Sequence, residues 1–383
     1  MESFSVASLE NKLFPSPKPA NEAETTSTAA SANTDAVVEH QIATEGVIDR
    51  PADDAVVPDE TLPIVEEPKS VPESKPAWSL GMKLPFVIDN LVGFVTCTST
   101  NKFYAVFEHR GAYDAVNIES SQMTDRLRRS FLRKEQILKP KEIQEVKETL
   151  LSVASVHAKT GLVLPRVAPI AAGIEIDLCN DGFRTVVIDR NDVKVQTTAR
   201  NLFFRPTQAR PLPLPVLDER ANVDLLKQYI NLDGVAFHLL LAYITFTIAS
   251  PKIESSKYVF LVLRGAQGTG KTFASKVVKN LIDPSSIDAQ TLPTSARELG
   301  IMLQSCHLAL VDNVRDLGAH MSDMLCMAST GGVTVQRKLY TDDGLNALKL
   351  HGSILFNGIH PFMGQSDFRD RTVCLELSQI KSE

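Results

Sequence analysis

A glycine-rich turn between an apolar run and a helix-compatible stretch constrains the fold of this chain most strongly. Residues 265–272 read GAQGTGKT, and they follow the apolar run KYVFLVL (257–263) and precede FASKVVKNLI (273–282). This is the pattern G-x-x-x-x-G-K-[ST], whose glycines let the backbone N–H groups of a loop surround phosphate oxygens. Because a strand precedes the motif and a helix follows it, the sequence predicts a nucleotide-binding phosphate loop rather than a chance glycine-rich turn.

Each part of the predicted phosphate loop has an expected role. The loop consists of Gly265, Ala266, Gln267, Gly268, Thr269, Gly270, Lys271 and Thr272. Its backbone amides and the N-terminus of the following helix should face the β-phosphate. We expect Lys271 to reach the β- and γ-phosphates and the Thr272 hydroxyl to bind Mg²⁺.

A second apolar run ends in an acidic residue that can complete the metal site. CHLALVDNV (306–314) reads as a buried strand that ends at Asp312. A carboxylate at this point can hold Mg²⁺, and the alternative is an ordinary acidic residue at a strand end. Between the two motifs, residues 292–305 contain the capping pair Ser295 and Glu298 and predict a crossover helix. This order of elements predicts an α/β phosphate-loop NTPase, with a parallel sheet and helices on both faces.

The composition of the chain changes near residue 78. Residues 1–77 contain 15 Asp and Glu residues against 5 Lys and Arg residues, so we expect a disordered acidic arm. Because the whole chain has a formal net charge of −6, residues 78–383 carry +4, and a nucleic-acid partner is not excluded. We predict a smaller α+β accessory domain at 78–215, a helical linker pair at 216–256 and the phosphate-loop domain at 257–383.

The sequence lacks the marks of a secreted or membrane protein. Its five cysteines show no paired spacing, so neither a disulfide framework nor a zinc site is indicated. The N-terminus lacks a basic start followed by an apolar stretch, so no signal peptide is expected. The most apolar segment, residues 235–250, is too short to span a bilayer and predicts a buried helix. We therefore expect a cytoplasmic protein with no membrane partner.

The accessory domain should contain strands and two helices. Residues 94–118 predict strands, and residues 173–198 predict three more. Helices are predicted at 123–136 and 140–161. The first helix carries several arginines, which form either a candidate contact to DNA phosphates or an ordinary solvated basic face. Four prolines in residues 205–219 predict an extended linker.

Three C-terminal segments resemble a known family. TGGVTVQRKLYTDD (330–343), GSILFNGIHP (352–361) and DFRDRTVCLEL (367–377) are similar in order and spacing to segments of superfamily 3 helicases. Over roughly residues 120–380, the chain resembles the helicase part of AAA+ ATPases of phages, plasmids and integrated elements, which are related to poxvirus-type primase-helicases. The resemblance implies ATP and Mg²⁺ as cofactors. It also implies a homo-oligomeric ring that acts on DNA, single-stranded by expectation, together with other replication proteins.

The same resemblance implies roles for residues outside the phosphate loop. Asn357 would be the polar sensor that positions the attacking water near the γ-phosphate. Arg371 would be the arginine finger that reaches the nucleotide of a neighbouring subunit, and Arg369 is its rival for that role. Arg337 and Lys338 would lie on or near the hairpin that grips single-stranded DNA.

Each of these roles has a structural alternative. Asn357 could be a satisfied core amide, because buried amides must find hydrogen-bond partners. Arg371 and Arg369 could form ion pairs with Asp367 or Asp370, since exposed pairs are common. The two basic residues of the hairpin segment could be surface charge that flanks a turn.

The sequence also departs from the family pattern. Asn313 stands where many superfamily 3 proteins have a second acidic residue, and an amide can orient a water molecule but cannot accept its proton. Hydrolysis could therefore be slow, or Asp316 could help. Val333 replaces an acidic residue after two glycines. Two functions stay open: an ATP-hydrolysing helicase or translocase, and an AAA+-like switch that recruits a replication partner with little hydrolysis. A small-molecule kinase leaves the arginine segment unexplained, and the lack of an N-K-x-D motif disfavours a GTPase.

Overall fold

Three strands open the part of the chain that the structure describes. The computed structural model describes residues 88–216, 218, 221–337, 345–359 and 362–379, all of which belong to one compact unit, and the predicted acidic arm lies outside them. The first strands are β1 (Leu91–Cys97), β2 (Phe103–His109) and β3 (Ala112–Asn117). They pair antiparallel, and their β-branched and aromatic residues favour strand formation.

Two helices cover one face of this first sheet. They are α1 (Ser121–Leu132) and α2 (Pro140–His157). Ser120 caps α1 by accepting a hydrogen bond from the backbone N–H of Met123. Met123 and Leu127 then pack with Phe107 of β2 in a buried cluster, so one face of α1 forms part of the core of the N-terminal part.

The second predicted helix ends earlier than its sequence pattern indicates. α2 stops at His157, and the next residues form strand β4 (Lys159–Gly161). β4 pairs parallel with β1, and Lys159 lies opposite Val95. Pairing with a neighbouring strand outweighs the local helical propensity. The predicted extension of this helix to residue 161 is therefore wrong.

A small antiparallel sheet completes the N-terminal part of the chain (residues 88–216). Its strands are β6 (Val167–Ile170), β7 (Gly173–Asp177), β8 (Thr185–Asp189) and β9 (Val193–Gln196), with β5 (Val163–Leu164) and β10 (Leu202–Phe203) paired separately. β7, β8 and β9 confirm the three strands predicted at 173–198. The buried Glu175 carboxylate accepts hydrogen bonds from the backbone N–H groups of Arg200 and Asn201, which ties the end of the sheet to β10.

The proline-rich stretch after β10 is extended and anchored at both sides. Residues 206–216 contain neither a helix nor a strand. Arg210 N donates to Pro284 O, and Leu212 N donates to Leu178 O. The stretch is thus bonded both to the N-terminal part and to the C-terminal part (residues 221–379).

The C-terminal part is built around a parallel sheet. Its strands are β11 (Phe260–Arg264), β12 (Leu308–Val311), β15 (Ser353–Gly358) and β16 (Thr372–Glu376). They lie in the order β12-β15-β11-β16, and all neighbouring pairs are parallel. The helices are α3 (Gly234–Ala249), α4 (Lys271–Ile282), α5 (Ala296–Gln304), α6 (Ala319–Thr330) and α7 (Ser366–Asp370). The predicted α/β fold with a parallel sheet is confirmed.

Helices cover both faces of the parallel sheet, because successive side chains of a strand point to opposite sides. On β11, Phe260 and Val262 pack with α5 and α6, whereas Leu261 and Leu263 pack with α3 and α4. Burial on both faces explains the continuous apolar sequences of these strands. Since parallel strands end at the same edge, the residues that follow β11, β12 and β15 come together there.

Two shorter features flank the sheet. A 3₁₀ helix (Val223–Gln228) precedes α3 where the sequence predicts a regular helix, and it closes with a bond from Tyr229 N to Leu226 O. The strands β13 (Gly332–Arg337) and β14 (Leu345–Leu350) form an antiparallel pair. Among the described helices, none is long and apolar enough to cross a membrane.

Candidate functional site

The phosphate loop lies at the carboxyl edge of the sheet, between β11 and α4. Gly268 and Gly270 have φ angles of 83° and 77°, in the left-handed region that favours glycine. Gly265 is required for space, because an added Cβ would lie 2.7 Å from Thr269 Oγ1 and 2.9 Å from Leu377 O. The glycine spacing of the motif therefore has a direct structural cause in this loop.

The ammonium group of Lys271 lies against the backbone of the phosphate loop. Its Nζ donates to Gly265 O at 2.9 Å and to Ala266 O at 2.7 Å. Thr269 Oγ1 also donates to Ala266 O, at 3.0 Å, which tightens the turn. The ammonium group is thus fixed beside the backbone that would receive phosphate oxygens, at the N-terminus of α4, where the helix dipole also favours an anion.

The two predicted Mg²⁺ ligands come together from separate elements. Thr272 lies in the first turn of α4, and Asp312 directly follows β12. Thr272 Oγ1 donates to Asp312 Oδ1 at 3.2 Å, and Asp312 N donates to Gln290 O at 2.9 Å, which fixes the strand end. A hydroxyl and a carboxylate are oxygen donors that fit Mg²⁺, which takes few protein ligands and fills its octahedron with waters and phosphate oxygens.

Asn357 lies near the carboxyl end of β15, close to Asp312, and it is buried in the core. Its side chain is 2% exposed. Its Oδ1 accepts from Asn313 N at 2.9 Å, and its Nδ2 donates to Ser275 Oγ at 3.0 Å. The amide therefore links the ends of β15 and β12 to α4. The satisfied core amide that the sequence left open is present, and the sensor role stays a prediction.

Asn313 faces solvent at the end of β12. Its φ angle is 57°, a left-handed conformation that asparagine adopts more readily than most residues. The side chain is exposed, as is that of Asp316. A neutral amide thus stands beside Asp312 where a proton acceptor would be useful for hydrolysis.

Arg371 lies at the amino ends of the parallel strands, whereas the phosphate loop lies at their carboxyl ends. Phe260 N donates to Arg371 O at 2.9 Å, at the amino end of β11. The guanidinium donates to the carboxylate of Asp367 and, at 2.8 Å, to its backbone oxygen. The ion pair expected as the alternative is therefore formed. Arg369 is exposed, and its side chain makes no ion pair within the described part of the chain.

The predicted DNA contacts are only partly within the described residues. Arg337 is the last residue of β13, and its backbone pairs with Leu345 of β14. Lys338 lies outside the described residues. Val333 and Val335, on the same strand, are more than half exposed. The part of the hairpin that the structure describes thus presents apolar side chains to solvent.

The arginines of α1 make specific contacts. Arg126 donates to Asp114 and lies over the ring of Phe107, with its carbon Cζ 4.3 Å from the ring centroid. Arg133 pairs with Asp89 at 3.4 Å. Arg126 is therefore engaged within the N-terminal part, whereas Arg128, Arg129 and Arg133 are exposed.

Sequence reasoning missed a buried ionic cluster at the far end of α4. Asp283 follows α4 and pairs with Lys279 at 2.9 Å and with Arg166 at 3.0 Å. The spacing of Lys279 and Asp283 by four residues is a signal that the sequence does contain. No local pattern could have identified Arg166, because it lies 117 residues away.

The fold and this edge define an α/β protein with a parallel sheet and a glycine-rich loop between a strand and a helix. Residues 223–382 match the model of the family described as the actinomycete integrative conjugative element replication protein. This match agrees with the resemblance, recognised from the sequence, to replication proteins of integrated elements, and it covers 160 of the 383 residues. No curated protein matches the chain.

Several solved structures are similar to the chain at low identity. The SCCmec type IV Cch active helicase is 12% identical, with a TM-score of 0.36, and the match covers 76% of this chain and 55% of that one. The apo C-terminal region of NrS-1 is 13% identical, with a TM-score of 0.35, over 75% of this chain and 58% of that one. The JCV helicase, bound to a synthetic acetamide, is 13% identical, with a TM-score of 0.26, over 42% and 47%. The chain thus spans little more than half the length of the first two.

Proposed function

We propose that the protein is an ATPase that acts as a helicase or translocase on DNA during the replication of a mobile element. The observation that carries this proposal is the contact of 3.2 Å between Thr272 Oγ1 and Asp312 Oδ1, at the end of the phosphate loop. It joins the two oxygen ligands that a Mg²⁺-dependent phosphoryl transfer requires. The family match supports the link to replication.

The residues of the edge would divide the chemistry among them. The loop amides and Lys271 bind the phosphates, and Thr272 and Asp312 hold Mg²⁺. The metal, when bound, neutralises charge that develops on the phosphoryl group. Asn357 supports the backbone of Asn313, whose exposed amide can orient the attacking water.

The position of Arg371 supports a ring of several copies. In the strand pairing, Phe260 lies opposite Thr372 and Arg264 lies opposite Glu376, so Arg371 is about 16 Å along the strands from the end of β11 that carries the phosphate loop. An arginine at that distance cannot contact the nucleotide of its own subunit. It can contact a nucleotide that a neighbouring subunit holds, and Arg369 is the alternative finger.

The ring would act on DNA in the cytoplasm. Arg337 and Lys338 are the proposed contacts to single-stranded DNA, and other replication proteins are proposed partners. A basic pair in a central hairpin would bind phosphates without reading their sequence.

A second candidate function rests on Asn313. Because an amide cannot accept the proton of the attacking water, the same site would suit a switch that binds ATP and recruits a replication partner with little turnover. Such a switch would still need Lys271 and Mg²⁺ for binding, but it would not need Arg371.

One experiment separates the two functions. The rate of ATP hydrolysis is measured across a range of protein concentrations, with and without single-stranded DNA. A motor is expected to hydrolyse ATP faster with DNA and, per subunit, faster above the concentration at which the ring assembles. A low rate that changes with neither DNA nor concentration, together with tight ATP binding, would support the switch instead. If ATP does not bind at all, both functions are wrong.

A further inference from the structure

A buried carboxylate joins the two elements that carry the proposed Mg²⁺ ligands. Asp283 Oδ2 accepts from His307 N at 2.7 Å and from Leu308 N at 3.2 Å, at the start of β12. The same oxygen accepts from Lys279 Nζ at 2.9 Å, on the last turn of α4. Asp283 therefore fixes the C-terminal end of α4 to the amino end of β12.

These contacts close a frame around the proposed nucleotide site. α4 has 12 residues and is about 18 Å long, and β12 has four residues and spans about 13 Å. Both elements run from Asp283 at one end to the contact between Thr272 and Asp312 at the other. A shift of one element at the Asp283 end must therefore alter the separation of the two oxygens at the metal end.

Arg166, which belongs to the N-terminal part, also binds the Asp283 carboxylate. Arg166 Nε donates to Asp283 Oδ1 at 3.0 Å, and its Nη atoms donate to the backbone oxygens of Asp177, Arg210 and Pro284. Arg166 is 1% exposed and Asp283 is 4% exposed. A planar guanidinium that bonds in several directions at once fixes the orientation of its partner, which a lysine cannot do.

The ionisation states of Asp283 and His307 favour the contacts of this cluster at neutral pH. The adjacent cations Lys279 and Arg166 hold the pKa of Asp283 well below its usual range, against the effect of burial. Burial lowers the pKa of His307 to about 4, so its ring is neutral near pH 7 and adds no third positive charge. The carboxylate thus stays ionised, and it stays bonded to both elements at neutral pH.

We propose that Arg166 and Asp283 are positioning residues that set the separation of Thr272 and Asp312, and thereby the affinity of the site for Mg²⁺. The N-terminal part is then a structural component of the nucleotide site that acts through α4 and β12. This inference rests on the proposed Mg²⁺-dependent ATP site.

The test measures metal dependence of binding in the full-length chain. A fluorescent ATP analogue is titrated with Mg²⁺ against wild type and Arg166→Met, below the melting temperature of both. The Mg²⁺ concentration for half-maximal binding is expected to rise about tenfold in Arg166→Met, the low end for loss of a group that orients a metal ligand. In EDTA, affinity for the analogue is expected to change less than about twofold, because Lys271 and the loop amides hold the phosphates.

A matched variant controls for general destabilisation. Arg126 pairs with the buried Asp114 and lies over the ring of Phe107, and it shares no hydrogen-bond partner with Arg166 among the contacts described above. Arg126→Met is expected to lower the melting temperature, as Arg166→Met does, yet to shift the Mg²⁺ midpoint less than about twofold. If both variants shift the midpoint equally, or neither does, Arg166 contributes only stability and the inference is wrong.

A conservative variant covers the case in which Arg166→Met does not fold. Arg166→Lys keeps the charge and loses the planar fork, so the Mg²⁺ midpoint is expected to rise about threefold. A midpoint equal to that of wild type in Arg166→Lys would overturn the inference while leaving the ATP site intact. If wild type binds no analogue with or without Mg²⁺, it is the proposed function that fails.

Discussion

Replacement of Arg371 by alanine tests whether one subunit completes the nucleotide site of the next. Arg371 precedes β16 at the amino edge of the sheet, and the phosphate loop follows β11 at the carboxyl edge. The two are separated by about 16 Å along the strands, whereas a guanidinium must approach a phosphate oxygen to about 2.8 Å. Arg371 can therefore assist hydrolysis only in a neighbouring subunit.

The size of the effect follows from what Arg371 contacts. In the structure its guanidinium is bound to the exposed Asp367, and exposed ion pairs contribute little to stability, so the arginine can leave this partner. Loss of an arginine finger lowers turnover by about a thousandfold or more. We expect Arg371→Ala to lower turnover by about a thousandfold, with ATP affinity unchanged within a few fold, because Lys271 and the loop amides remain.

Mixing two inactive variants gives the sharper assay. Arg371→Ala keeps a nucleotide pocket but lacks the finger, whereas Lys271→Ala lacks the pocket but keeps the finger. In a head-to-tail ring assembled at random from equal amounts, about one quarter of the sites combine an intact pocket with an intact finger. Turnover of the mixture is therefore expected to recover to about one quarter of the wild-type rate, far above that of either variant alone.

Arg369→Ala is the matched control for this assay, because Arg369 is exposed and lies two residues before Arg371. It should hydrolyse ATP like wild type. If Arg369→Ala is the variant that loses turnover and is rescued by mixing, Arg369 is the finger. If no mixture recovers activity and wild type turns over ATP linearly down to the monomer range, the finger does not act between subunits, and the switch is the better function.

Three further variants test other parts of the proposal. Lys271→Ala is expected to abolish ATP binding with an unchanged melting temperature, measured by titration and thermal unfolding, because Lys271 contacts only loop atoms; retained affinity would contradict this. Deletion of residues 1–76 is expected to leave ATP hydrolysis and melting temperature unchanged and to strengthen DNA binding at low salt, because this segment is acidic and poor in core-forming residues; a large drop in melting temperature would show that it packs on the rest. The double variant Arg337→Ala, Lys338→Ala should reduce the slope of log K against log salt for single-stranded DNA by about 0.7 for each phosphate that the protein no longer binds; an unchanged slope would identify them as surface charge.

Local patterns in the sequence predicted the elements that carry the candidate site. The glycine spacing predicted a turn that only glycine can form, and the structure gives Gly268 and Gly270 left-handed φ angles. The apolar run before Asp312 predicted a buried parallel strand, and two such strands necessarily end at one edge. The approach of Thr272 to Asp312 follows from those two facts together.

The errors and omissions arose where distant parts of the chain decide the outcome. The sequence predicts that Lys159 and Gly161 end a helix, but they pair with β1 as part of strand β4. Arg166 lies in an N-terminal stretch that carries no nucleotide motif, and only the folded chain brings it to Asp283. Pairing between residues more than a hundred positions apart leaves no periodicity or spacing for a single sequence to reveal.

The contacts of α4 determine how a change at the nucleotide site can spread. At one end α4 is bound to β12 through Thr272, and through Ser275 and Asn357; at the other end it is bound through Asp283, which Arg166 also holds. A movement of α4 must either break the buried contact of Asp283 with Arg166 or carry the N-terminal part with it. Removing one partner from a buried ion pair costs about 3–5 kcal/mol, and a shift of the packed N-terminal part that keeps this contact avoids that cost. Motion of α4 is therefore expected to be transmitted to the N-terminal part through the contact between Asp283 and Arg166.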